Sequence, residues 1–136
     1  MNFLIEGKPI SQCRPRFFRG RVYDPLSSIK KQMQKKLRCT IADLGPRMPP
    51  DRALCLEACV YTKIPDSFSK AKQKRLEGTW DIGTPDVDNF AKFLMDVMTE
   101  IVYEDDRFIS KLCIEKKKSS VPRVEINIYQ LGVSDE

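Results

Sequence analysis

The sequence predicts an α+β fold, a mixed four-stranded sheet with helices packed on it, and two observations carry that expectation. Four segments place apolar residues at the strand period of two, and three others read as helices by period, caps or stops. Four strands and three helices in one short chain give a sheet layer covered by a helix layer.

In chain order, Phe3 to Glu6 alternates and opens the sheet. Residues 7–25 contain Pro9, Pro15, Gly20 and Pro25 and read as a long loop, a length that is commonly functional. Ser27 or Ser28 caps a helix running to about Ala42, with Ile29, Met33, Leu37 and Ile41 along one face. Gly45 to Pro50 breaks the chain. Ala53 to Lys63 is apolar, with Leu54, Leu56, Ala58 and Val60 in one parity, and reads as a central strand. Ser67 to Gly78 is a short basic helix stopped by Gly78. Trp80 to Pro85 leads into a helix whose stripe is Phe90, Phe93, Leu94, Val97, Met98 and Ile101, capped by Asp88 or Asn89. Phe108, Leu112 and Ile114 share one face of the next strand, and Val124, Ile126, Ile128 and Gln130 one face of the last. KKKSSVP between these two resembles a hairpin loop.

At 136 residues the chain is read as a single domain, 1–136, large enough to bury a core. No run of about 18 apolar residues exists and the N-terminus lacks a signal-peptide layout, so no membrane is expected and a cytoplasmic location is. Cys13, Cys39, Cys55, Cys59 and Cys113 form no C-x-x-C pair, which argues against structural zinc, and they read as buried small hydrophobes. Histidine is absent. A Ser-His-Asp or Cys-His arrangement is therefore impossible, and hydrolytic chemistry must rest on carboxylates, lysine and a hard cation such as Mg²⁺ or Mn²⁺.

Such carboxylates are present in TPDVDNFAKFLMDVMTEIVYEDD, residues 84–106. Asp86 and Asp88 stand at i and i+2, which projects both from one face of an extended chain. Two ionised carboxylates about 4 to 5 Å apart repel by roughly 4 kcal/mol at an effective dielectric near 20, so the pair calls for a cation or a proton. The apolar stripe after them docks the helix and fixes them in place. Lys92, four residues after Asp88, can reach the same pocket, and Asp105 and Asp106 follow in a turn before a strand that could return them toward the pair. A lone Asp before a helix is usually only a cap and a lone Asp-Asp turn is usually solvated; the joint arrangement reads as a cation site. An EF-hand loop counted from Asp86 would need an oxygen ligand, Gly and Glu where Phe90, Ala91 and Val97 stand. An aspartyl-phosphate phosphatase motif would need Thr where Phe90 stands.

The formal net charge is +5, unevenly placed. Residues 1–40 carry ten basic and two acidic side chains, residues 81–106 one basic and eight acidic. A basic arm beside an acidic centre suits a polyanion held over a metal site. Arg14, Arg16, Arg19 and Arg21 alternate with Phe17, Phe18 and Tyr23, a combination that grips phosphate and stacks on unpaired bases. Lys30 and Lys31 open a lysine-rich helix face that is either a solvated surface or part of the same contact.

PDVDNFAKFLMDVMTEIVYEDD resembles the signature of the RusA-type Holliday-junction resolvases, Lys-Pro-Asp-x-Asp-Asn-Leu-x-Lys, a helix with Leu-Asp-Ala-Leu, then Asp-Asp. GKPISQCRPRF and VYDPLSSIKK resemble the family's N-terminal Arg-Pro-Arg segment and the opening of its first long helix. The resemblance implies a RusA-like fold. It implies catalytic Asp86, Asp88, Lys92 and Asp106, with Mg²⁺ on Asp86, Asp88 and the Asp105–Asp106 pair, Asp106 foremost. It also implies a homodimer acting on four-way-junction DNA by paired nicks in recombination and repair, with no small-molecule cofactor. Thr84 stands where the pattern has lysine, which removes a positive charge beside the site, and Phe90 where it commonly has leucine. A non-catalytic branched-DNA binder and a less selective flap nuclease are the competing readings.

Overall fold

A computed structural model describes residues 1–132 and bears out the α+β layering. The large sheet has the order β1-β6-β4-β5, formed by β1 (Asn2–Glu6), β4 (Leu54–Lys63), β5 (Ile109–Ser119) and β6 (Arg123–Gln130). β5 runs parallel to its neighbour β4, and the other pairings are antiparallel. Among the described residues three α-helices accompany the sheet, α1 (Ser27–Leu44), α2 (Lys70–Leu76) and α3 (Val87–Met98).

One face of the sheet carries the core. Leu56, Ala58 and Val60 of β4 and Val124, Ile126 and Ile128 of β6 are buried against Leu37 and Ile41 of α1 and the α3 stripe. That stripe is buried at every position expected, Phe90 through Ile101. Each such side chain contributes about 2 kcal/mol of transfer free energy. The other sheet face, with Glu57, Cys59, Tyr61, Asn127 and Tyr129, is only half-buried.

Several local expectations are corrected. Residues 7–25 are not all loop: Arg16–Phe18 (β2) and Arg21–Tyr23 (β3) pair as a hairpin. Its two-residue turn is Arg19-Gly20, both at positive φ (49° and 76°), the backbone twist that fits a tight hairpin. α1 has no serine cap, since its N-cap is Leu26, whose N–H donates to Asp24 Oδ1 at 2.9 Å. α2 is shorter than expected because Ser69 caps it, accepting from the Lys72 N–H.

Leu112 is 42% exposed on β5, which is an edge strand of the sheet. Gln130 is likewise exposed. KKKSSVP is no hairpin loop, since β4 lies between β5 and β6 and the link Ser120–Pro122 steps across its end. Two inter-strand spacings make about 10 Å, within reach of that link. Of the cysteines only Cys55 is buried, Cys13, Cys39 and Cys113 are exposed, and all five are free thiols. No helix among the described residues is long and apolar enough to cross a membrane.

Candidate active site

The start of α3 is held by contacts from several elements. Asp86, not the expected Asp88 or Asn89, is its N-cap residue, with φ −71° and ψ 154°; the helix begins at Val87, so only Asp86 is extended and Asp88 lies in the first helical turn, which corrects the extended-chain reading of the i, i+2 pair. The Asp86 side chain makes no capping bond, and among the described residues neither Asp86 nor Asp88 enters a salt bridge or side-chain hydrogen bond. Both are exposed. Two carboxylates close in sequence that serve neither cap nor ion pair are free to bind a cation.

The segment before them is anchored by a residue that patterning missed. Lys116 of β5 is buried at 8% exposure, and its ammonium donates to the carbonyls of Gly83 and of Pro85, the latter at 2.8 Å. Thr84, where the family pattern has lysine, thus lies beside an ammonium delivered from another strand. Asp81 completes the anchor, accepting from Thr62 Oγ1 at 2.6 Å and from the Gly83 N–H at 2.9 Å. Burial works against its ionisation, but those hydrogen bonds and the charge of Lys116 prevail and hold its carboxyl below the usual range.

The N-terminal arm reaches the same place. The Gln12 N–H donates to the Asn89 carbonyl at 2.9 Å, tying the root of the β2–β3 arm to the first turn of α3. The arm itself is open to solvent. Arg14, Arg16, Arg19 and Arg21 are all exposed, as are Phe17 (71%) and Phe18 (62%), and Arg19 stacks on Phe18.

Lys30 departs from the DNA-contact expectation. Its ammonium is held between Asp24 at 2.5 Å and Asp96 at 2.8 Å, with a side-chain exposure of 12%. Desolvation disfavours that charge, yet the two carboxylates overcome it and raise the lysine above its ordinary value. Lys31, one residue on, is exposed.

The second acidic pair lies elsewhere. Asp105 caps the single 3-10 turn Asp106–Phe108, accepting from the Arg107 N–H at 3.0 Å. Asp106 is raised above the carboxylate norm first by desolvation, then by Asp105 beside it and by the charge of Asp96. These neighbours place it at the C-terminal end of α3, where the Tyr103 hydroxyl also donates to the Met95 carbonyl. At 1.5 Å rise per residue, the stretch of α3 from Asp88 to Met98 is about 15 Å of helix. Among the described residues no three acidic, cysteine or histidine side chains come together as a metal-holding group. The strand expected to return Asp105 and Asp106 to the first pair instead begins at the far end of the helix.

Lys92 lies between the two ends. It is exposed, and its neighbours at four residues either way on α3 are Asp88 and Asp96. Asp96 has no role assigned from the sequence, although it stands at the aspartate of the Leu-Asp-Ala-Leu pattern, eight residues along α3 from Asp88.

A sequence model described as "Endodeoxyribonuclease RusA" matches residues 6–129. The uncharacterized protein YqaN of Bacillus subtilis (strain 168) is 28% identical over 97% of this chain and 97% of its own length. The crossover junction endodeoxyribonuclease rusA of Lactococcus phage r1t is 37% identical over 57% of this chain and 60% of its own length.

Proposed function

Because this chain belongs to the endodeoxyribonuclease RusA family, we propose that it is a structure-selective DNA endonuclease that resolves four-way junctions by paired nicks in recombination and repair. The observation that carries the reading is the free Asp86–Asp88 pair at the start of a buried-stripe helix, with an exposed Arg-rich arm tied to the same turn.

The arm binds phosphate through Arg14, Arg16, Arg19 and Arg21, joined by Lys31. Lys92 offsets charge on the scissile phosphate as it passes the α3 face. Asp86 and Asp88 suit Mg²⁺ or Mn²⁺ by donor type, hard oxygen with no competing partner. The chemistry such a cation supplies when bound is neutralisation of phosphate charge and acidification of the attacking water.

Among the described residues, no third carboxylate of the same protomer groups with that pair. Asp106, with Asp105 beside it, would join Asp86 and Asp88 only from a second copy, so the homodimer belongs to the proposal for the site as well as for the symmetry of the cuts. The raised Asp106 fits that arrangement, since a carboxylate crowded by Asp105 and Asp96 gains from a shared cation.

The test is incubation of the protein with a mobile four-way junction, with and without Mg²⁺, with mapping of the cut positions. Symmetric cuts near the branch point that need the metal support the reading. Binding without cutting at any metal concentration would make the protein a junction binder, and equal cutting of junction, flap and duplex a less selective nuclease.

A further inference from the structure

One strongly basic surface takes no part in the chemistry at Asp86 and Asp88: α2 and the chain that leaves it. Lys70, Lys74 and Arg75 are exposed and make no salt bridge among the described residues. They occupy the side of α2 away from the half-buried Gln73 and Leu76. The surface is rigidly mounted. Glu77, at the helix C-cap, accepts from Ser119 Oγ at 2.6 Å and from the Ser120 N–H at 2.8 Å, which pins α2 to the end of β5.

The chain then runs antiparallel along the edge of β5. The Gly78 N–H donates to the Lys118 carbonyl, that of Lys118 to the Thr79 carbonyl, and that of Asp81 to the Lys116 carbonyl, at 2.8 to 2.9 Å. This strap presents Trp80 opposite Lys117, 62% exposed, with the Lys117 ammonium 4.7 Å from its ring centroid. An exposed tryptophan alone needs no explanation. One whose backbone is clamped on both sides, with a cation against the ring, two further cations in the adjoining helix turn and Asp86 six residues downstream, makes a platform.

We propose that Trp80, with Lys74 and Arg75, binds a single unpaired DNA strand, one base stacking on the open indole and its flanking phosphates meeting the basic side chains. Indole stacking is available to a splayed base and closed to a base inside a duplex, while the guanidinium groups of the β2–β3 arm can hold the phosphates of either form. Both basic surfaces are tied to the chain around the start of α3, the arm through Gln12 and the strap through Asp81 and Lys116. The inference rests on the DNA reading above and adds the kind of DNA bound.

Trp80 is the only tryptophan in the chain, so its emission reports this site alone. A dye-labelled fifteen-nucleotide oligothymidylate and a fully paired duplex are titrated in EDTA, following dye anisotropy and tryptophan emission together. Bound oligothymidylate should quench the emission and duplex should leave it nearly unchanged. Trp80→Ala should weaken single-strand binding about tenfold, Trp80→Phe should keep most of the affinity, and duplex affinity should hold within about twofold in both. Lys74→Gln with Arg75→Gln should flatten the salt dependence of single-strand binding by roughly 0.7 for each phosphate no longer neutralised. Oligothymidylate that binds by anisotropy with unaltered emission, or equally to Trp80→Ala, overturns the Trp80 site and leaves the DNA reading standing. No anisotropy change with any DNA removes the DNA reading itself.

Discussion

The ammonium of Lys116 and the carbonyl of Pro85 are 2.8 Å apart across 31 residues of sequence, and that bond holds the chain entering Asp86 against the sheet. Lys116→Met leaves the Gly83 and Pro85 carbonyls without a donor, at a cost of about 1–3 kcal/mol. Cleavage should fall at least tenfold with junction affinity little changed, and amide exchange should quicken over residues 83–89. Lys118→Met, whose parent side chain has no bonded partner among the described residues, is the control. Equal rates in the two variants would sink the anchoring role.

Asp86→Asn, Asp88→Asn and Asp106→Asn should each abolish cleavage while junction binding stays within a few-fold, because affinity resides in the basic surfaces. The roughly 15 Å of α3 from Asp88 to its C-terminal end makes a sharper experiment possible. Mixed dimers of Asp88→Asn and Asp106→Asn subunits contain one site with both acids intact only if each site draws on two copies. Nicking by that mixture, from parents that are each inactive, is the expected result. Persistent inactivity in verified mixed dimers would return the site to a single protomer.

Lys92→Ala should lower the cleavage rate by about two orders of magnitude. The side chain is exposed, so melting should be unaffected, and Lys92→Arg should rescue only in part, a guanidinium being a poor copy of a compact ammonium. A fully active Lys92→Ala protein would remove Lys92 from the mechanism.

Charge removal at Arg14, Arg16 and Arg21 should flatten the log–log salt dependence of junction binding by roughly 0.9 for each duplex phosphate left without its arginine. Lys30→Gln should behave otherwise. Its parent ammonium is committed to Asp24 and Asp96, so the variant should lose about 1–3 kcal/mol of stability with an unchanged salt slope. A flattened slope in Lys30→Gln would show that the lysine leaves its carboxylates for DNA.

Asp81 supplies the pH dependence. Its folded pKa is depressed below the ordinary aspartate value of 3.8, so its contribution to stability is complete above that value and is lost as pH falls through the lower, folded value. Asp81→Asn should be less stable than wild type by about 1 kcal/mol at neutral pH, with the gap closing in acid. A gap that stays constant down to about pH 2 would mean that shape, not charge, is what the site uses.

The apolar stripe from Phe90 to Ile101 and the parity of Leu54, Leu56, Ala58 and Val60 were legible in the sequence because period and burial are local properties of helix and strand, and every one of these residues is buried. The Asp86–Asp88 pair was legible as a spacing, but the helix begins between its members, at Val87, so extended-chain geometry does not set how the two carboxylates lie. The β2–β3 hairpin was missed because Arg19 takes the positive φ at which Gly or Asn is the usual signal.

What local pattern could not supply was distance between segments. Only the tertiary structure decided that β4 slots between β5 and β6, that Lys30 goes to Asp24 and Asp96, that Lys116 reaches Pro85, and that α3 holds Asp106 away from Asp88. Sequence spacing determines which side chains share a face within one element. Which faces meet is settled by how the whole core closes, a sum over contacts between residues far apart in the chain.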